Sequence, residues 1–274
     1  MSGKGADPLS TKPAEEDRYR APALDKGLDI LELLSGIEGG LTQAEIAKAL
    51  GRSPNEFYRM LDRLMRRGYV TKTDGDRYAL TLKMFGLAQL HAPTRRLASF
   101  ATPRMRELAT RTQQANQLVV FDRGAAVVVA QQEAPGYWGI SIRVGSHIDL
   151  FDTGSGHVLL AFATQETREM MVAETTPPGA PPRAMPAELA DRLEQVRRDG
   201  FERMDSLQTV GVVNLSAPIL GADGHAIAAL TVPYLPQVDA EGTPGVDEVL
   251  ADLRDAARVL SGFTGWNAAT GPQG

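Results

Sequence analysis

The segment Thr153 to His157, "TGSGH", places a serine and a histidine directly after Asp152, and these are the residue types of a hydrolytic triad. A nucleophile elbow of the form G-x-S-x-G would need glycine at positions 153 and 157, and neither is glycine. The same segment is typical of a turn that opens a helix. There, free N–H groups and the positive end of the helix dipole can bind an anion such as a carboxylate. An anion site and a purely structural turn are the two interpretations that the residues leave open.

A second segment whose residue types could bind a ligand is basic. Residues 51–77 contain seven basic and four acidic side chains, a local charge of +3 in a chain whose net charge is -5. Neutralisation of phosphates supplies most of the non-specific affinity for DNA, so this local patch is the electrostatic footprint that DNA binding requires. A solvated amphipathic helix is the alternative for the basic stretch taken alone.

Metal and redox chemistry have little support. The four histidines, His91, His147, His157 and His225, show no ligand spacing, and the chain has no cysteine. We therefore predict no metal site, no cofactor and no disulfide. We expect His147 and His225 to be solvated, and His157 to face either a pocket or solvent.

The elements that must position the basic residues form a helix-turn-helix pattern. Apolar residues at helical spacing predict a first helix in "ALDKGLDILELLSG", and Thr42 with Glu45 forms a capping box for a second. "GRSPNEFYRMLDRLMRRG" predicts the third, in which Ser53 and Glu56 form another capping box. Two β-rich runs follow, joined at Asp74-Gly75, which predicts a hairpin and completes a winged helix.

The remainder predicts a separate α+β domain. Helices are expected in "LKMFGLAQL" and in "RRLASFATPRMRELATRTQQ", where Pro103 predicts a kink or two shorter pieces. β-rich runs follow in "QLVVFD", "AAVVVAQQE", "WGISIRV", "VVNLSAPIL" and "AIAALTVPYL". Helices are predicted in "TGSGHVLLAFA", "AELADRLEQVRRDG" and "VDEVLADLRDAARVLSGF". Strands interspersed with helices, without regular βαβ alternation, indicate a mainly antiparallel sheet.

Composition fits a globular protein of two domains. Of the 274 residues, 43% are hydrophobic and 23% are charged. No uninterrupted apolar segment is long enough for a membrane span, and residues 1–20 have the composition of a disordered tail without a signal-peptide core. The lack of cysteine suits a reducing cytosol, so a cytoplasmic location is expected.

Three quoted stretches together resemble the isocitrate lyase regulator (IclR) family of bacterial transcription factors. "LDKGLDILELLSG…LTQAEIAKALGRSPNEFYRML…GYV…DGDRYALT" resembles its winged helix-turn-helix, "VGSHIDLFDTGSGHVLLAF" its effector-domain signature, and "GVVNLSAPILGADGHAIAALTV" its closing strand pair. The likeness runs in one order from Ala21 to Trp266. It implies a DNA-binding homodimer or dimer of dimers whose GAF-like C-terminal domain senses a small carboxylate.

From the charge pattern and this resemblance we expect the helix-turn-helix and wing to bind a double-stranded operator. The DNA-binding residues are expected to be Thr42, Gln43, Ser53, Asn55, Glu56, Arg59, Arg63, Lys72 and Arg77. The family usually begins this helix with Ser-Thr, whereas this chain has Asn55-Glu56. Asn can pair with adenine and Glu can accept from cytosine, although Glu56 is equally placed to act only in the capping box.

The resemblance also implies the effector site. Matched position by position, the pocket would be lined by the turn before the glycine-rich helix and by the closing strands. Its expected residues are Phe151, Gly154, Ser155, Asp205, Val212, Asn214, Thr231 and Pro233. Asn214 and Thr231 could equally be satisfied polar residues of the core.

Two classes of function follow. The preferred one is a ligand-responsive transcriptional regulator, without catalytic residues, that represses or activates from its operator. The alternative is a small hydrolase-like α+β enzyme with an appended helical module. The expected layout is a tail at 1–20, a winged helix-turn-helix with linker helix at 21–92, an effector and oligomerisation domain at 93–266, and a flexible tail at 267–274.

Overall fold

A computed structural model describes residues 21–90, 92–136, 139–177, 179–236 and 243–266. The tails expected at 1–20 and 267–274, and His91, lie outside these ranges. The chain divides into two compact units, one ending at His91 and one beginning at Ala92.

The first unit is a helix-turn-helix followed by a hairpin. Its helices are α1 (Pro22–Ser35), α2 (Gln43–Ala49), α3 (Pro54–Arg66) and α4 (Lys83–Leu90), and its strands are β1 (Leu41–Thr42), β2 (Val70–Thr73) and β3 (Arg77–Leu80). β3 pairs with both β1 and β2 in an antiparallel sheet. Gly75, at φ 71°, lies in the 3-10 turn between β2 and β3, a conformation that glycine adopts without strain.

The core of this unit joins the helices to the hairpin. Ile30 of α1, Ile46 of α2, Phe57 and Leu61 of α3 and Val70 of β2 are at most 2% exposed and pack together. The predicted helices and hairpin of the winged helix are confirmed by these elements.

The second unit is a six-stranded antiparallel sheet with helices on both faces. Its helices are α5 (Ala92–Thr112), α6 (Gly154–Ala161), α7 (Gln165–Glu174), α8 (Ala187–Asp199) and α9 (Val246–Phe263). Its strands are β4 (Asn116–Asp122), β5 (Ala125–Gln132), β6 (His147–Ile148), β7 (Glu202–Asp205), β8 (Val213–Leu220) and β9 (Ala226–Tyr234). The strand order is β6-β5-β4-β9-β8-β7.

Alternation along the strands separates two cores. Leu118 of β4, with Leu215 and Ile219 of β8, faces α5 and α9. Val119 of β4 and Ala229 of β9 face α6 and α8. Because successive side chains of a strand point to opposite faces, Gln117 lies on the α6 face beside Val119.

One detail of the predicted second domain was wrong, and one of two alternatives for another was excluded. The described part of "WGISIRV", residues 139–144, is not a strand, and the short β6 follows it. One helix, α5, runs through Pro103 where two shorter pieces were an alternative. The missing N–H leaves the carbonyl of Ser99 without its helical donor, and Ser99 is exposed, so water can reach that oxygen.

Four elements were not predicted from the sequence. They are β1, β6, α7 and β7. α7 buries only Met171, which gives a weak apolar stripe, although Thr164 does cap it. β7 was missed because the residue it buries is a glutamate, Glu202, whose partners lie on other elements.

Candidate functional site

Helix α3 presents a polar face opposite its buried one. Phe57 and Leu61 are buried, whereas Asn55, Arg59 and Arg63 are exposed. Among the described residues neither of these two arginines has an ion-pair partner, while Arg66 is held by Asp62 at 2.9 Å. Arg59 and Arg63 are therefore the cations of α3 that remain available to a phosphate or a base edge.

An aromatic residue on the same helix was missed by sequence reasoning. Tyr58 is 64% exposed and precedes Arg59. A tyrosine hydroxyl can donate to a phosphate oxygen. The signal was its place outside the apolar stripe of α3, which an aromatic residue in a core helix would normally join.

Glu56 is engaged within the protein. Its Oε1 accepts from the backbone N–H of Ser53 at 3.3 Å and from the Ser53 hydroxyl at 3.2 Å, and its Oε2 lies 2.8 Å from Nζ of Lys26. The Lys26 bond, followed by the Ser53 bonds, lowers the pKa of Glu56 from 4.5 to about 2. Of the two roles left open for Glu56, the structure displays the capping role, and the Ser53 side chain shares it.

The beginning of α2 uses its polar side chains in the same way. Thr42 accepts from the N–H of Glu45 at 3.3 Å, and Glu45 accepts from the N–H of Thr42 at 2.8 Å. Gln43 donates to the carbonyl of Pro54 at 2.8 Å, which links the starts of α2 and α3. Thr42 thus caps α2, and Gln43 holds the start of α2 to that of α3.

The two basic residues of the hairpin also have internal partners. Lys72 pairs with Asp76 at 2.7 Å, and this bond raises the pKa of Lys72. Arg77 donates to the carbonyl of Gly40 at 3.2 Å and pairs with Glu45 at 3.1 Å. The Arg77 guanidinium is therefore placed to hold β3 against the start of α2, and a phosphate would have to compete with these bonds.

The second unit contains a cavity of about 500 Å³ between the start of α6 and the sheet. That volume lies within the range of roughly 300–1,000 Å³ typical of small-molecule sites. Six of the eight expected effector residues line it: Gly154, Ser155, Val212, Asn214, Thr231 and Pro233. Gly154 and Ser155 belong to α6, Asn214 to β8 and Thr231 and Pro233 to β9, and Val212 directly precedes β8.

The remaining two expected residues lie elsewhere. Phe151 is buried beneath Arg183, whose guanidinium lies 4.5 Å from the ring centroid, and its carbonyl accepts from His157. Asp205 is exposed on the edge strand β7. Neither lines the cavity. Phe151 packs in the core beside α6 and α8, and Asp205, three residues after Glu202, lies on the opposite face of β7.

The start of α6 offers backbone donors. Thr153 caps the helix, accepting from the N–H of Gly156 at 3.2 Å and donating to the carbonyl of Asp149 at 2.7 Å. The N–H groups of Gly154 and Ser155 come before the first intrahelical bond, so the helix itself does not use them. Both residues line the cavity.

Gly154 is also required by packing. A Cβ there would lie 2.9 Å from Oγ of Ser216 and 3.5 Å from Cβ of Asn214. The side chain of any larger residue would thus meet β8 before it filled the cavity. A substitution at Gly154 consequently reports on packing and ligand access together.

A row of buried polar residues crosses the sheet beneath α6. Glu202, Ser216, Thr231 and Gln117 are direct neighbours on β7, β8, β9 and β4, and each is at most 3% exposed. The Thr231 hydroxyl lies 2.8 Å from that of Ser216 and 2.9 Å from that of Ser155. Thr231 is therefore both part of the cavity wall and a satisfied polar residue.

One end of this row is an ionic cluster. The Glu202 carboxylate is fully buried, 2.7 Å from Nδ1 of His157 and 3.0 Å from Nε of Arg192. Burial alone would raise the pKa of Glu202, but the His157 and Arg192 bonds outweigh it and hold the pKa below its usual value. His157 faces neither the cavity nor solvent, because its Nε2 is 2.7 Å from the carbonyl of Phe151.

Charge in the cavity is sparse. None of the residues that line it is a lysine or an arginine, and its titratable groups are Asp149 and the exposed His147. Arg183 holds Asp149 at 2.6 Å. Burial raises the pKa of Asp149, but the bonds from Arg183 and from the N–H of Phe151 outweigh it and leave that pKa lowered.

Sequence reasoning missed much of the lining. The residues it did not select are Gln117, Ile140, Ser141, Ile142, His147, Ile148, Asp149, Thr153, Ser206, Gln208 and Thr209. Gln117 precedes an apolar β run, and only the strand register places it beside Thr231. The Ser206 and Thr209 loop is closed by its own bonds, with Ser206 accepting from the N–H groups of Gln208 and Thr209.

A second cavity, of about 490 Å³, lies between β8 and α9. Its charged lining groups are Arg254, Asp255 and Arg258, and Asp255 pairs with Arg258. No helix begins there among the described elements, so it has no equivalent of the backbone donors at α6. The described residues also contain no group of three or more metal-ligating side chains, and none of their helices could span a membrane.

Comparison with protein families gives two matches that together span most of the chain. Residues 23–74 match the IclR helix-turn-helix domain, and residues 91–262 match the bacterial transcriptional regulator IclR C-terminal domain.

A curated relative and two solved structures agree. The chain is 30% identical over 252 residues to the HTH-type transcriptional regulator BhcR of Paracoccus denitrificans, covering 90% of this chain and 88% of that protein. It resembles the IclR structure of Thermotoga maritima with a TM-score of 0.70 at 21% identity, covering 89% and 98% of the two chains. An IclR homologue of Microbacterium hydrocarbonoxydans complexed with 4-hydroxybenzoate gives a TM-score of 0.71 at 22% identity, covering 88% and 98%.

Proposed function

Since this chain belongs to the IclR family of DNA-binding transcriptional regulators, which are not enzymes, we propose that its second unit senses a small monocarboxylate and thereby alters operator binding. The observation that carries the proposal is the start of α6. There Gly154 and Ser155, whose N–H groups the helix itself does not use, line a cavity of about 500 Å³.

The chemistry of the cavity favours one negative charge on the ligand. The helix N-terminus supplies a partial positive charge and two donors, which suits one carboxylate group. With no lysine or arginine among the lining residues and with Asp149 already present, a second carboxylate would lack a partner. The bound 4-hydroxybenzoate of the Microbacterium homologue is a ligand of this class.

The DNA contacts are proposed for α3. Arg59, Arg63 and Asn55 would enter the major groove, with Tyr58 on a flanking phosphate. Thr42, Gln43, Ser53 and Glu56 would hold the reading helix in position through the bonds described above. Lys72 and Arg77 would approach the backbone only by exchanging their carboxylate partners for phosphate.

A two-fold operator requires paired reading heads, and we propose a homodimer or a dimer of dimers. The first unit leaves large apolar side chains exposed on α1 and α4. These are Leu24, Leu28, Met84, Phe85, Leu87 and Leu90, and they exceed the scattered exposure of a monomer surface.

Matched acids and amides test the carboxylate site. Calorimetry on the full chain at pH 7 would compare propionate with propionamide and benzoate with benzamide. The two members of each pair have nearly the same shape, and only the acid is charged. We expect the acids to bind more tightly and to change the affinity for an operator selected in vitro from random DNA. Equal binding of acids and amides, or binding with no effect on the operator complex, would contradict the proposal.

A further inference from the structure

A buried glutamine lines the cavity, and its amide oxygen has no hydrogen-bond partner among the described residues. Gln117 is 3% exposed and is one of the lining residues. Within the part of the chain that the structure describes, its Oε1 accepts no hydrogen bond. Buried polar atoms are nearly always satisfied, and Gln117 lines the cavity, so a ligand bound in the cavity is the candidate partner of this oxygen.

The cross-strand neighbours of Gln117 do not supply that donor. Thr231 lies directly opposite Gln117 on β9, but its hydroxyl bonds to Ser155 and Ser216 and makes no bond to Gln117. On the other side, Gln131 of β5 is the cross-strand neighbour and does not line the cavity. Gln117 is therefore the member of the polar row left to interact with a ligand.

Its position also relates it to the carboxylate site. Ser155 lines the cavity at the start of α6, and its hydroxyl lies 2.9 Å from that of Thr231. Gln117 stands one strand further on, about 5 Å away. A small acid whose carboxylate lies at the start of α6 thus reaches Gln117 with a group a few bonds along its skeleton.

We propose that Gln117 is a specificity-determining residue that accepts a hydrogen bond from a hydroxyl group of the ligand, so that the effector is a hydroxylated monocarboxylate. The inference rests on the proposed carboxylate site and narrows its ligand class. A hydroxyl supplies the missing donor without adding charge. An analogue without it leaves a buried carbonyl unpaired, and sites of that kind reject such analogues strongly.

The test uses pairs of acids that differ by one hydroxyl. Lactate with propionate, 3-hydroxybutyrate with butyrate and 4-hydroxybenzoate with benzoate would be titrated calorimetrically into the full chain. The same titrations would be run on Gln117→Leu and on the control Gln131→Leu. In the wild type we expect the hydroxylated member of at least one pair to bind about tenfold more tightly or better. Gln117→Leu should abolish that preference by weakening the hydroxy acid alone, and Gln131→Leu should keep it.

A second measurement separates recognition from a structural role. Because Oε1 of Gln117 has no partner in the part of the chain that the structure describes, Gln117→Leu loses no bond of this oxygen there, and the melting temperature of the ligand-free protein should not fall. A lower melting temperature together with an intact hydroxyl preference would assign Gln117 to the core and overturn the inference.

The outcomes also separate this inference from the proposed function. Equal binding of hydroxy and deoxy acids overturns the role of Gln117 while carboxylate binding stands. Failure of every acid to bind overturns both. Tighter binding of alanine than of lactate in the same assay would replace the hydroxyl by an ammonium donor and overturn the ligand class named here.

Discussion

Single side chains of α3 differ in whether a carboxylate already holds them. Arg59 has no ion-pair partner among the described residues, whereas Arg66 is paired with Asp62. If Arg59 makes a bidentate contact to a base, Arg59→Ala should weaken binding to a selected operator by about 1–3 kcal/mol. Fluorescence anisotropy would measure it, with Arg66→Ala as the control of smaller effect. Wild-type affinity of Arg59→Ala for both operator and random DNA would exclude this docking.

The buried carboxylate of Glu202 leads to a second prediction at this scale. Glu202→Gln keeps the shape but weakens the bonds from His157 and Arg192, which go to a charged group. It should lower the free energy of unfolding by about 1.5–3 kcal/mol. The matched control is Glu194→Gln on α8, whose 3.9 Å pair with Arg198 is largely exposed and contributes less than about 1 kcal/mol. Chemical denaturation would measure the free energy of unfolding of both variants. Equal losses of stability would contradict the stabilising role of the Glu202 cluster.

Of the residues that line the cavity, the sequence predicted those that belong to a recognisable motif and missed those that only strand pairing brings there. Gly154 and Ser155 stand in a recognisable turn, and both line the cavity. Gln117 and Asp149 carry no local signal, since their importance depends on which strand or turn lies beside them. Glu56 is the converse case, because its residue type and its spacing from Ser53 fitted both a capping role and a base contact. A bond from Lys26, thirty residues away, supports the capping role.

Helix α6 depends as an element on a close approach that only glycine permits. A Cβ at Gly156 would lie 2.1 Å from the carbonyl oxygen of Leu150. Gly156→Ala should therefore cost about 3 kcal/mol or more and remove the start of the helix. Gly262→Ala in α9, where a Cβ meets nothing within 4 Å, should be neutral or stabilise by up to about 1 kcal/mol. Thermal unfolding followed by circular dichroism would show whether the two variants differ in this direction.

The link between α1 and α3 predicts a pH dependence of the first unit. Glu56 has a folded pKa of about 2 against 4.5 normally, with the Lys26 bond as the largest cause. Its contribution to stability is therefore full above pH 4.5 and disappears as the pH falls toward 2. The melting-temperature difference between wild type and Glu56→Gln should narrow over that interval. A difference that stays constant from pH 6 to pH 2 would contradict the assignment.

Elements with strong local signals could be predicted from the sequence, and elements defined by their neighbours could not. α9 was bounded correctly at Val246 and Phe263 because it combines an amphipathic pattern with a clear start. β1 has two residues and exists only through its pairing with β3. The 139–144 segment has β-forming residues but no strand to pair with in the described structure, so propensity alone misled.

For the molecule as a whole, assembly follows from unburied apolar surface. Phe85 of α4 is 62% exposed and Leu28 of α1 is 46% exposed. The double variant Leu28→Glu with Phe85→Glu should shift the full chain toward monomer in light scattering and weaken operator binding. Leu207→Glu, at an exposed loop position of the second unit, is the control for added charge. A wild type that is monomeric at micromolar concentration, together with a double variant whose DNA affinity equals that of the wild type, would refute the dimer.

The polar row beneath α6 has a practical consequence for redirecting this protein as a biosensor. Ser155 and Ser216 each bond to Thr231, so changing any one of the three breaks a native contact before it alters recognition. The amide oxygen of Gln117 has no hydrogen bond of this kind among the described residues. A mutant library that randomises position 117 and spares the three hydroxyls should therefore retain a larger share of folded members. The library members can then be screened for a response to new inducers without compensating mutations that restore folding.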